Sequence, residues 1–215
     1  MKEIWKLEDK KQAKLLRKKV KDFDFDAYSK DEIEDLVKRM RRLMSEANGV
    51  GLAANQIGLD MRVFVAKWEG KFYAFFNPQI EDKSKETSLM DEGCLSIPEK
   101  YGEVERPEKI TLVAWNKQRK KVKIKAWDML GRIFQHEVDH LDGKLYVDRM
   151  KRGMKLREYP EEGGLNYVFF GSPELAGIVL QKLVDAGMPP KKLICNPDKP
   201  VGRKKILTHP FTKQL

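Results

Sequence analysis

Two of the three histidines in this chain stand one helical turn apart, in Gln135-His136-Glu137-Val138-Asp139-His140. Residues four apart share one face of a helix. Both imidazoles can therefore reach one metal ion, with Glu137 beside them as an acid/base. A metal-activated water attacking a carbonyl is the chemistry this spacing supports. A lone histidine on an apolar face reads as an ordinary core residue. A pair at this spacing with a glutamate between them reads as ligands.

Such a site needs a third protein ligand and an open position. The extended protease motif H-E-x-x-H-x-x-G-x-x-H finds its glycine at Gly143, but Tyr146 stands where its last histidine belongs. Thermolysin-like enzymes use a downstream glutamate, for which Glu158 is the candidate, in a polar stretch without apolar periodicity. Upstream, Glu92-Gly93-Cys94-Leu95-Ser96-Ile97-Pro98 offers the thiol of Cys94, which taken alone reads as a small buried hydrophobe. A further segment, Gly49-Val50-Gly51-Leu52-Ala53-Ala54-Asn55-Gln56-Ile57-Gly58, has small residues that allow close approach to backbone, and Gln56 adds an amide donor. It does not open a dinucleotide-binding β-α unit.

The elements that must position these residues follow from patterning. Ala126 to Asp142 has helical periodicity, with Met129, Ile133, His136 and His140 in one stripe and Gly143 placed as a C-terminal cap. An earlier helix opens at Ser29-Lys30-Asp31-Glu32 and repeats Ile33, Leu36, Val37, Met40, Leu43 and Met44 as far as Asn48-Gly49. Arg62 to Trp68, Lys71 to Phe76, Lys109 to Trp115 and Lys120 to Lys125 read as strands, with breaks expected at Asn77-Pro78 and Gly102.

Composition bounds the class. The 215 residues are 41% hydrophobic and 35% charged, which suits a soluble globular chain. No apolar run is long enough to span a bilayer, and Met1 to Lys6 lacks the apolar region of a secretion signal. Two cysteines, Cys94 and Cys195, suggest no disulfide framework, so a cytoplasmic location is expected. The net charge of +10 gathers in Lys10 to Lys21, Lys38 to Arg42, Lys117 to Lys125 and Lys144 to Arg157. Each run alone reads as a solvated face; together they suit ribosome association without sequence-specific nucleic-acid binding.

In this order, the three segments resemble the peptide deformylase family, whose patterns are G-x-G-x-A-A-x-Q, E-G-C-L-S and Q-H-E-x-D-H. Every fixed position is matched, and the resemblance runs from about Ile4 to Met150. It departs from the family at the opening, where Glu8-Asp9 and Leu16-Arg17 replace the usual Pro-Asp and Leu-Arg in the region of an N-terminal strand. The resemblance implies an α+β fold, with antiparallel sheets packed around a central metal-binding helix. It implies Cys94, His136 and His140 as ligands of one divalent ion, Fe2+ first with Zn2+ or Ni2+ able to substitute. Glu137 would move the proton, while Gln56 and the Leu95 backbone N–H would stabilise the oxyanion. Formyl-methionyl nascent peptides would lie against Val50 and Gly51, with Ile133 in the wall of the methionine pocket. Glu92 and Arg106 would form a supporting ion pair.

Residues 1–158 thus read as the catalytic domain, 159–164 as a linker and 165–215 as a β-α-β appendage. The appendage resembles the start of methionyl-tRNA formyltransferase in Tyr167 to Ala176 and Asn196 to Lys204. That match covers only the first β-α-β unit and its basic loop, so no formyl transfer is expected. Two rival readings are a zinc endopeptidase using Glu158 and a catalytically silent RNA-associated module.

Overall fold

Ser29 opens the first long helix by a reciprocal cap: its Oγ accepts from the Glu32 N–H at 3.2 Å, and Glu32 Oε2 accepts from the Ser29 N–H at 2.8 Å. This helix, α2 (Lys30–Glu46), buries Ile33, Val37, Met40, Leu43 and Met44, which recur at helical spacing on one face. It follows a shorter helix, α1 (Lys10–Leu16), capped by Asp9. The computed structural model describes residues 3–151 and 153–158 continuously, and beyond them four short strands at 168–169, 192–193, 199–201 and 206–208.

Five strands form one antiparallel sheet in the order β1-β2-β3-β6-β7: β1 (Gly51–Ala53), β2 (Val63–Trp68), β3 (Lys71–Lys83), β6 (Lys109–Trp115) and β7 (Lys121–Trp127). A second antiparallel sheet has the order β4-β5-β8, from β4 (Thr87–Cys94), β5 (Ile97–Pro107) and β8 (Arg157–Glu158). Between β7 and β8 runs α3 (Asp128–Leu141), buried on nearly every side. Its Phe134 meets Phe64, Tyr73 and Phe75 of the larger sheet in tilted and edge-on contacts. A helix apolar on one stripe could face solvent on the other; this one is enclosed, so even its polar residues must find partners.

The helix ends in a Schellman turn: Lys144 N–H donates to the Asp139 carbonyl at 2.8 Å and Gly143 N–H to the His140 carbonyl at 3.1 Å. Gly143 has φ +72°, and a Cβ there would lie 2.6 Å from the Arg17 carbonyl oxygen. Both constraints select glycine.

Three expectations are corrected. First, among the described residues the opening segment forms no strand. Residues 3–9 run as turns and coil into α1, which Asp9 caps. Second, Asn77-Pro78 does not end a strand. Asn77, at φ 49°, takes up a bulge, and β3 continues to Lys83. Its side chain holds the bulge, accepting from the Phe23 N–H at 2.6 Å and donating to the Phe23 carbonyl at 2.9 Å. Third, Gly102 lies within β5 opposite Glu92, where a side chain would strike Met150.

The chain divides into two compact units, Met1–Glu158 and Tyr159–Leu215. In the second, β9 (Val168–Phe169) pairs in parallel with β10 (Lys192–Leu193), and β11 (Lys199–Val201) pairs antiparallel with β12 (Ile206–Thr208). The linker 159–164 and the helix of the expected β-α-β appendage lie outside the described residues.

Candidate metal centre and active site

Cys94 closes β4, and Leu95 and Ser96 turn the chain into β5, with Cys94 paired to Ile97 across the turn. This turn brings the thiol over α3. Cys94 Sγ lies 3.1 Å from His140 Nε2, and one donor atom from each of Cys94, His136 and His140 falls within 4.8 Å of the others. Among the described residues this is the one such cluster able to hold a metal.

One of the two imidazoles is oriented from behind. His136 Nδ1 lies 3.0 Å from Glu92 Oε2, which turns its Nε2 towards the thiol. Glu92 is buried and takes Arg106 in a bidentate pair at 2.6 and 2.9 Å. Arg132 Nη1 adds a third bond to Glu92 at 2.7 Å and also donates to the Val104 carbonyl at 3.0 Å. Arg106 reaches on to Asp139 at 2.8 Å, and Asp139 is gripped by Arg149 at 3.0 and 2.6 Å. A buried carboxylate is costly unless paired and hydrogen-bonded; here each acid has at least two guanidinium partners.

Electrostatics fit a ligand set. Burial alone would raise the Cys94 thiol, but the facing imidazoles outweigh it and hold it well below its ordinary value. Burial likewise opposes the charge on Glu92, yet bonds from Arg106 and His136 keep its carboxyl well below the usual carboxylate range. Burial pushes Glu137 up to about 7 against the pull of both imidazoles. Among the described residues, no partner meets the buried atoms Glu137 Oε2 and His140 Nδ1. A thiolate, two imidazoles and an adjacent unpaired carboxylate suit a borderline-soft divalent cation with one position left for a reactant.

The remaining expected site residues fall around this cluster. Gln56 is buried; its Oε1 accepts from the Ala53 N–H at 2.9 Å, and its Nε2 donates to Ser96 Oγ at 3.1 Å and points at Cys94 Sγ from 3.6 Å. Gly51 lies against Glu137, so that a Cβ at Gly51 would overlap the carboxylate. Val50 is exposed beside it, Ile133 is buried in the core around Phe134, and Met129 packs against that core. Glu158 is not near the metal cluster: it is exposed on β8, opposite Lys100. Tyr146 is also no ligand, since its hydroxyl donates to the Lys100 carbonyl at 2.9 Å.

Sequence reasoning missed Arg132, Asp139 and Asn55. Asn55 Nδ2 donates to the His140 carbonyl at 2.6 Å, tying the Gly-rich segment to α3. The available signal was an arginine within an apolar helical stretch, since buried arginines are rare without partners.

Sites of this kind hydrolyse amide-type carbonyls, which places the chain among the metallohydrolases. Residues 1–155 match the family model described as Polypeptide deformylase. A peptide deformylase of Treponema pallidum (strain Nichols) is 42% identical over 132 residues, covering 60% of this chain and 82% of the relative. The peptide deformylase of Thermotoga maritima aligns with a TM-score of 0.63 at 34% identity, covering 69% of this chain and 96% of that one. One from Synechococcus elongatus, solved in complex with actinonin, gives 0.64 at 33% identity, covering 70% and 79%. The chain belongs to the polypeptide deformylase family, metal-dependent hydrolases of mixed α/β fold with antiparallel sheets.

Proposed function

We propose that this protein removes the formyl group from the N-terminal methionine of newly made proteins, releasing formate. The observation that carries the reading is the convergence of Cys94, His136 and His140 within 4.8 Å beside the unpaired Oε2 of Glu137. A bound divalent cation, Fe2+ in first place with Zn2+ or Ni2+ able to serve, supplies a Lewis acid and an activated water. Glu137 accepts the water's proton as the hydroxyl adds to the formyl carbon, and returns it to the departing amine. The Gln56 side-chain amide and the Leu95 N–H donate to the oxygen that gains charge. A formyl carbon bears only hydrogen, so a tight site accepts it and refuses larger acyl groups.

The substrate chain lies extended along β1. That strand forms the outer edge of its sheet, where an extended chain can add beside Gly51, while the Val50 carbonyl accepts from the Lys67 N–H at 2.8 Å. Val50 and Ile133, with Met129, line the pocket for the methionine side chain. The basic surface, including Lys121, Lys123 and Lys125 on the exposed side of edge strand β7, supports docking on a ribosome. Among the described residues no helix is long and apolar enough to cross a membrane.

For residues 165–215, within the second unit, we propose a formyltransferase-like β-α-β unit. The parallel pairing of Val168–Phe169 with Lys192–Leu193 supports it, because a parallel pair requires a crossover connection.

The test of the main reading is Glu137→Ala. The variant should retain metal and lose nearly all release of formate from a formyl-methionyl peptide. Full activity would remove Glu137 from the mechanism.

A further inference from the structure

The turn Leu95-Ser96 carries the backbone N–H assigned above to the oxyanion, yet it lacks the backbone geometry that usually stiffens so short a turn. Two-residue hairpin connections favour turns with positive φ, and neither Leu95 nor Ser96 adopts one. Both of its carbonyls are instead tied down from outside. Lys6 Nζ donates to the Leu95 carbonyl at 2.6 Å, and the Leu7 N–H donates to the Ser96 carbonyl at 2.9 Å. One residue earlier, the Trp5 N–H donates to the Gln56 carbonyl at 2.7 Å. Three consecutive residues of the opening segment thus grip the backbone of Gln56 and of the turn after Cys94. The grip is itself anchored, because the Lys6 N–H donates to Gln12 Oε1 at 2.6 Å, on α1.

We infer that Lys6 is a positioning residue for the deformylation reaction, acting through the Leu95–Ser96 turn. The inference rests on the proposed reading of Leu95 and Gln56 as the oxyanion donors. The ammonium fixes the plane of the Leu95–Ser96 peptide and polarises it. The Ser96 N–H of that same peptide points at Cys94 Sγ from 3.4 Å, so a fixed peptide plane also supports the thiolate. The preceding peptide, which presents the Leu95 N–H, is held between this plane and Cys94. Donors aimed before the reaction are worth far more than donors that must be ordered during it. The bond that Lys6 Nζ makes is to the Leu95 carbonyl and not to a ligand side chain. Its loss should therefore lower turnover without weakening substrate capture.

The experiment compares Lys6→Met and Lys6→Arg in the metal-loaded full chain. It measures kcat and KM for formate release, melting temperature, and amide hydrogen exchange at Leu95 and Ser96. Lys6→Met should lower kcat on the order of tenfold, the scale expected from a slight misplacement of a catalytic group. KM and melting temperature should stay near wild type, and exchange at the two amides should speed up. Lys6→Arg should recover most of the turnover. Unchanged kcat in Lys6→Met, or a loss that Lys6→Arg does not recover, overturns the inference. Gln56→Ala, measured alongside, probes the underlying reading separately: full activity there would refute the oxyanion assignment whatever Lys6 does.

Discussion

Glu137 occupies the space that a side chain on Gly51 would fill. A Cβ built at Gly51 overlaps Glu137 Oε1, with Cδ at 2.8 Å and Cγ at 3.0 Å. Gly51 lies in strand β1 without positive φ, so it is chosen for closeness and not for backbone freedom. Gly51→Ala should displace the carboxylate and lower kcat on the order of 100-fold, as a misplacement near 1 Å can do. Metal content should not change. Steady-state kinetics with metal analysis checks this, and wild-type kcat would mean that Glu137 can move aside at no cost.

The acid side of the pH profile belongs to Glu137. It must be ionised to accept a proton, so kcat/KM rises with pH through its titration. Burial pushes the carboxyl up to about 7, and the imidazoles pull the other way. A cation held by Cys94, His136 and His140 pulls further in that direction. The acid limb should therefore fall below pH 7. A limb at pH 8 or higher would contradict the assignment.

Ligand identity separates the deformylase reading from a zinc endopeptidase. Cys94→Ser should sharply lower metal bound per chain, while Glu158→Ala should leave it unchanged, because Glu158 is exposed opposite Lys100. Loss of metal in the glutamate variant alone would reverse the roles.

Arg106 joins two buried acids, Glu92 and Asp139. Arg106→Met leaves Glu92 with Arg132 and Asp139 with Arg149, so the loss should sit at the low end for a broken buried pair, about 3 kcal/mol. With Glu92 less firmly held, His136 loses orientation, and metal affinity should fall about tenfold. Thermal unfolding and a metal competition titration read the two effects separately. Unchanged values in both would show the network to be redundant.

The chemistry was largely readable from sequence, and the reason is local. Glu137 and the His136–His140 pair lie within one helix, where spacing alone fixes direction. Gly143 marks its end by a turn that needs positive φ. The third ligand was different, since Cys94 reaches His140 across 46 positions and only the resemblance singled it out. The β4–β5 hairpin was not foreseen as two long strands. Charged residues such as Asp91, Glu92, Glu103 and Glu105 fall on both sides of the pleat, and Gly102 reads as a break. Arg132 escaped for the same reason, because its partners Ser88, Glu92 and Val104 lie 28 to 44 positions away. Long-range pairing of charge leaves no periodicity to find.

One strand-end thiol and two rings on an enclosed helix come from different layers of the molecule. An ion clasped by all three would serve as a rivet as well as a reagent. A chelator would then do more than silence chemistry: it would unpick a seam, and the amides beside Cys94 would open to solvent before those of the five-stranded sheet.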